Sequence, residues 1–231
     1  MKERERRVVF NPLDRQADID IANRNLPHWF QIDATLFVTF RTHDSIPRKV
    51  HLRWQQELEQ WLSIRRLPTE LASSTVNRKN SDHEQIVERL SSGEQAEFRK
   101  MSDRIFHRSL DECHGSCPFK NPALARIVGD AIRHRNGDVY DLNSFIVMPN
   151  HVHALVQFRE AGGLEIVSQS WMRYTARRIN NLLGQSGPLW QPEPFDHILR
   201  SVVQFYYLRD YIADNPQNAH LRPEDYLYWR M

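Results

Sequence analysis

Two runs of strand-forming residues, VYDLNSFIVMP (139–149) and HVHALVQF (151–158), follow one another with little more than Pro149-Asn150 between them. Their β-branched and aromatic content favours extended chain, and a Pro-Asn step marks a turn. Around them strand-like and helix-like segments alternate. TLFVTFR (35–41) reads as a third strand. The 3.6-residue period appears over 48–62 through Val50, Trp54, Leu58, Trp61 and Leu62, and over 94–110 through Ala96, Phe98, Met101, Ile105, Phe106 and Leu110. A short helix begins after Asn121, which can cap it with Pro122 in the first position, and ends before Gly137. Further helices are expected over 164–183 and 201–214, the last ended by Pro216, with a short extended piece before it. The pattern predicts an α+β fold: one domain over 1–231, an antiparallel sheet flanked by helices, with a charged arm at 1–30. The stretch 63–95 is polar and irregular, and 72–85 is its expected exposed connection.

Bulk properties exclude little. At 231 residues, 40% hydrophobic and 26% charged, the chain is long enough to bury a core. No run of about 18 apolar residues predicts a membrane span. The start, MKERERRVVF, lacks the apolar stretch of a signal peptide, so a cytoplasmic protein is expected. The net charge of +2 neither favours nor excludes nucleic acid, so any such site must come from local patches. No P-loop pattern occurs. Cys113, His114 and Cys117, with His107 nearby, have poor spacing for structural zinc, and loop packing is the expected role.

The chemistry-bearing feature is the histidine pair. On a strand, side chains alternate faces, so His151, His153, Leu155 and Gln157 share one face while Val152, Ala154, Val156 and Phe158 form an apolar core face. Two imidazoles about 7 Å apart along a strand can converge on one cation. Alone, such a pair is more often two ordinary hydrogen-bonded histidines. Near the C-terminus, Tyr211 and Asn215 stand four apart on one helical face, with Tyr206 and Tyr207 as competing tyrosines.

The combination LPHWF, LFVTFRTHDSIP, FIVMPNHVHALV, SWMRYTARRIN, GPLWQPEPFDHILRS and YIADNPQNAHL, in that order, resembles the single-tyrosine HUH transposases of the IS200-like kind, most closely the REP-associated tyrosine transposases of bacteria. The resemblance spans most of the chain; MPNHVH and YI..NP are its most specific pieces, and 48–110 looks like a helical insertion. It implies a ferredoxin-like HUH nuclease fold and the following roles. His151 and His153 are the metal-binding pair, Asn215 is the third ligand, Tyr211 is the nucleophile, and His197 has an accessory part. The implied cofactor is Mg2+ or Mn2+. The implied activity is cleavage and rejoining of single-stranded DNA at hairpin or repeat sequences through a covalent 5′-phosphotyrosine. A monomer or homodimer associated with the bacterial nucleoid is expected.

For DNA, SWMRYTARRINN offers Arg173, Arg177 and Arg178 beside Trp171 and Tyr174. Arginines hold phosphates and aromatics stack unpaired bases; by itself the segment fits a solvated basic face over an aromatic core contact equally well, and the resemblance tilts it toward DNA. Two other readings stay open: a DNA-hairpin-binding protein that no longer moves DNA, and a metal-dependent hydrolase with water as nucleophile.

Overall fold

The computed structural model describes residues 10–14, 16–23, 27–77, 87 and 90–231; the basic run at 2–7 of the expected arm lies outside them. Among the described residues, five strands make one sheet: β3 (Thr35–Arg41), β4 (Tyr140–Val147), β5 (His151–Phe158), β6 (Phe195–Ile198) and β7 (Leu227–Arg230). Their order is β6-β3-β5-β4-β7, with every neighbour antiparallel. Ahead of it, β1 (Asp20–Asn23) and β2 (Pro27–Phe30) pair as a separate hairpin within the stretch expected to be an arm. The α+β expectation is met.

Six α-helices flank the sheet among the described residues: α1 (Arg48–Ile64), α2 (Glu70–Asn77), α3 (Ser92–Asp111), α4 (Pro122–Arg133), α5 (Gly163–Leu183) and α6 (Val202–Asn218). Local chemistry sets their ends. Ser91 accepts from the Glu94 N–H while the Glu94 carboxylate accepts from the Ser91 N–H, a capping box that starts α3. The Asn121 side chain accepts from the Ala123 N–H at 3.0 Å and starts α4, with Pro122 in its first turn. Gly184, at φ 61°, closes α5 in a left-handed conformation that glycine adopts without strain.

Two expectations need correction. Of the expected exposed connection at 72–85, residues 72–77 are helical instead, since α2 runs to Asn77 with Leu71 and Ala72 fully buried, and 78–85 lie outside the described residues. Two apolar residues there suffice to dock the helix, and composition alone hides them. The last helix does not stop at Pro216 but runs to Asn218. Proline removes one N–H rung, yet the ladder resumes with the Ala219 N–H on the Asn215 carbonyl at 3.0 Å. Burial of Ile212, Asn215 and Pro216 holds this last turn in place.

The sheet is covered on both faces. On one, Val152, Ala154, Val156 and Phe158 of β5 pack with Leu124 and Val128 of α4 and with Val167, Trp171 and Ile179 of α5. On the other, Leu155, Phe37 and Ile146 pack with Phe205 and Ile212 of α6. A third cluster, built from Val50, Trp54 and Leu58 of α1, Leu71 of α2 and Phe98, Ile105 and Leu110 of α3, gives the segment read as a helical insertion a core of its own. Leu58→Ala empties a fully buried position in that cluster. It is expected to lower stability in urea unfolding by about 2–5 kcal/mol; a loss below about 1 kcal/mol would mean that this layer does not unfold together with the sheet.

Candidate functional site

The antiparallel register of β3 against β5 sets Thr39 opposite His153 and Arg41 opposite His151. Both histidines are fully buried, and their rings lie 4.6 Å apart between centroids. Each ring is oriented through Nδ1. The His153 Nδ1 lies 2.7 Å from the Thr39 hydroxyl, and the His151 Nδ1 lies 2.7 Å from the Asn150 Oδ1.

Asn150 fixes the tautomer of His151. Its amide nitrogen donates to the His114 carbonyl at 2.7 Å, so its oxygen faces the imidazole. An amide oxygen only accepts, so His151 donates from Nδ1 and keeps a lone pair on Nε2. The turn around Asn150 is itself anchored: the Thr42 N–H donates to the Asn150 carbonyl at 2.8 Å, and the Phe119 N–H to the Pro149 carbonyl at 3.1 Å. The Pro-Asn step therefore does more than reverse the chain. The loop with Cys113 and Cys117 contributes to this anchoring. Cys117 Sγ donates to the Cys113 carbonyl at 2.9 Å, and burial pushes the Cys113 thiol up to about 12.

Three buried polar atoms of these residues end without a hydrogen-bond partner: Nε2 of His151, Nε2 of His153 and Oδ1 of Asn215. Leaving such atoms unpaired is costly unless something binds them. Asn215 reaches the site from α6, where its Nδ2 donates to Asp111 Oδ1 at 3.1 Å. The Tyr211 hydroxyl, one turn earlier, donates to the same oxygen at 3.4 Å. Asp111, the last residue of α3, stands 4.0 Å from His151 Nε2 through that oxygen. Ligand atoms of Asp111, His151 and His153 all lie within 4.8 Å of one another, and the three can hold a metal ion. Atoms sharing one divalent ion stand about 3–4 Å apart, so small side-chain shifts suffice. An imidazole–oxygen donor set fits a divalent first-row ion. His107, one turn before Asp111 on α3, packs its ring against both His153 and Tyr211 at 5.6 Å.

Electrostatics keep the ligand atoms available. Burial, with help from His107 and Arg41, holds His151 down at about 3, and burial also holds His153 well below the ordinary histidine range. Burial, then His197, brings His107 to about 4. All three rings are neutral at pH 7. Burial raises Asp111 to about 6, opposed by the hydrogen bonds from Asn215 and Tyr211. Burial and the adjacent Asp111 raise the Tyr211 phenol above its ordinary value, so it rests protonated.

The residues read from the sequence thus divide into groups. His151, His153, Tyr211 and Asn215 converge. His197, on β6, contacts Gln204 of the first turn of α6 and lies beside His107 rather than among the free ligand atoms. Tyr206 and Tyr207 are exposed, with Arg209 stacked over Tyr206 at 4.7 Å. Arg173, Tyr174, Arg177 and Arg178 form an exposed face of α5, on the opposite side of the sheet from the histidines. Trp171 does not join that face. It is buried against Phe40 and Tyr140 and donates to the Tyr140 hydroxyl at 3.1 Å, so it is a core residue and no stacking platform. Three contributors were missed: Thr39, Asn150 and Asp111. Only Asn150, in the Pro-Asn step, carried a local signal.

Asp111 gives a pH test. Its folded pKa of about 6 exceeds the ordinary aspartate value of 3.8, so the charged carboxylate weakens the metal-free fold above that pH. The handicap fades as pH falls through 6 toward 3.8. Asp111→Asn is therefore expected to stabilise the metal-free protein at pH 7.5, with the gain shrinking by pH 5. Urea unfolding at both pH values checks this, and a pH-independent difference would contradict the burial argument.

No protein family and no curated protein matches the chain. Among solved structures, the chain is similar to a REP-associated tyrosine transposase bound to a REP hairpin. The two are 15% identical with a TM-score of 0.38, over 83% of this chain and 71% of that one. Among the described residues, no helix is long and apolar enough to cross a membrane.

Proposed function

We propose that this protein is a metal-dependent tyrosine HUH transposase that cleaves and rejoins single-stranded DNA, acting at hairpin or repeat sequences. The observation that carries the reading is the pair of unpartnered buried imidazole nitrogens, His151 Nε2 and His153 Nε2, beside the Tyr211 ring, with Tyr211 and Asn215 joined through one Asp111 oxygen that stands 4.0 Å from His151 Nε2. The motif resemblance supports the same assignment.

His151, His153 and Asn215 would hold Mg2+ or Mn2+, which would supply Lewis-acid chemistry at the scissile phosphate. The chain's own residues do the rest. Thr39 and Asn150 hold the imidazoles with Nε2 forward. Phe37, His107 and His153 wall in the Tyr211 ring, so the phenol meets phosphorus with little freedom to turn away. Tyr211 Oη forms a bond to phosphorus as the bond from phosphorus to the 3′ oxygen breaks. The phenolic proton passes to solvent as Tyr211 attacks, and the 3′ oxygen gains one from solvent. The products are a 5′-phosphotyrosine and a free 3′-OH. One phosphodiester has replaced another, so the reverse attack rejoins the strand without ATP.

DNA holding is assigned to the exposed face of α5, where Arg173 and Arg177 stand one turn apart with Tyr174 57% exposed between them. Because that face and the tyrosine lie on opposite sides of the sheet, binding and cleavage are separable. The partner is single-stranded DNA carrying a hairpin or repeat, in a nucleoid-associated setting.

Labelled single-stranded repeat DNA, incubated with Mn2+ or Mg2+ and resolved under denaturing conditions, tests the chemistry. The parent, Tyr206→Phe and Tyr207→Phe proteins are expected to give a protein–DNA adduct, and Tyr211→Phe to give none while binding DNA normally. An adduct from Tyr211→Phe would remove it as nucleophile, and product without any adduct would favour water. In a second experiment, Arg173→Ala/Arg177→Ala is expected to weaken DNA affinity and flatten its salt dependence by about 1–2 units of log–log slope, because fewer counterions are released. An unchanged slope would return this face to plain solvation.

A further inference from the structure

The segment 48–110 has its own core and was read as an insertion, yet α3 does not stop at the edge of the site. Its last residue reaches in among the histidines. Asp111 Oδ1 is the shared acceptor of Asn215 Nδ2 and the Tyr211 hydroxyl, at 3.1 and 3.4 Å, and stands 4.0 Å from the unpartnered His151 Nε2. His107, four residues earlier on the same face of α3, packs against His153 and Tyr211 and has a buried Nδ1 without a partner. Leu110 is fully buried in the α1–α3 cluster, so the position of Asp111 is fixed by packing outside the site.

We infer that Asp111 is a direct ligand of the catalytic cation, so that the helical insertion supplies part of the metal centre. This rests on the metal-dependent reading above and adds to it an anionic ligand from a different structural layer. His151, His153 and Asn215 all offer neutral donors. A hard divalent ion favours at least one carboxylate oxygen, and Asp111 is the carboxylate whose oxygen lies within 4.8 Å of both imidazole donors. One carboxylate oxygen has lone pairs enough for a cation and a hydrogen bond, so Asp111 can keep Asn215 or Tyr211 while it ligates.

The test measures Mn2+ binding to the DNA-free protein by calorimetry, with no turnover involved, for the parent, Asp111→Ala, Asp111→Asn and His151→Ala. Asparagine keeps an oxygen that accepts from Tyr211 and Asn215 but loses the charge, so it separates ligation from mere orientation. If Asp111 ligates, Asp111→Asn and Asp111→Ala both lose at least as much Mn2+ affinity as His151→Ala, beyond the roughly 10–100-fold that loss of an orienting partner costs. Bound Mn2+ then also slows amide exchange over residues 107–112 in the parent and leaves it unchanged in Asp111→Asn. If Asp111→Asn stays within roughly 10–100-fold of the parent, the range for an orienting partner, while His151→Ala loses more, Asp111 only orients its neighbours and the inference is overturned. If His151→Ala also binds like the parent, the metal centre itself is wrong, and both readings fall together. Circular dichroism confirms folding, and Asp111→Asn, which removes a buried charge, keeps the comparison valid should Asp111→Ala unfold.

Discussion

The register of β3 against β5 is the constraint on which the rest depends. Side chains on a strand alternate faces, so a slip of one residue would turn His151 and His153 into the layer of α4 and α5 and expose Val152 and Ala154 to the layer of α6. All eight residues of β5 are buried, which makes both faces demanding and the slip prohibitive. The same register brings the Thr39 hydroxyl to His153. Strand pairing thus settles at once which layer is core and which atoms are left free for chemistry.

Hydrogen bonding and packing share the task of holding the site, at different distances. Next to the imidazoles, Asn150 carries the orientation of His151 back to the His114 carbonyl, across a loop that the sequence offers mainly as a cysteine curiosity. Farther out, apolar packing positions two helices whose ends meet. Ile212 seats α6 against the sheet, and Leu110 seats α3 in its own cluster, so Asn215 and Asp111 arrive from separate cores.

How much of this was legible in the sequence depends on the range of the interaction. The sheet class and most helices follow from local periodicity, and the shared face of His151 and His153 follows from strand alternation. For Trp171 the segment alone leaves a base-stacking platform and an aromatic core contact equally open, and the structure shows the core contact. The spacing of Trp171 from Leu164, Val167, Thr175 and Ile179, all buried, is that of an inward stripe. Pro216 misled as a terminator because a single missing rung near a helix end is tolerated where the turn is buried. Asp111 could not be found from local pattern. It lies 40 positions before His151 and 104 before Asn215, and what joins them is the docking of one helical layer on another.

The position of Asp111 at the end of a helix has a consequence of its own. The aligned peptide dipoles of α3, 20 residues long, leave their negative pole at that end. The carboxylate adds its charge to the same pole, although Arg108 in the last turn complements that pole and Glu112 is paired with Arg53 and His114. At Asp111 itself the pole and the carboxylate have the same sign, so packing holds in place a group that the helix field opposes. A positive charge arriving between Asp111 and the histidines removes that opposition, so the end of this helix is stabilised by the same event that completes the site.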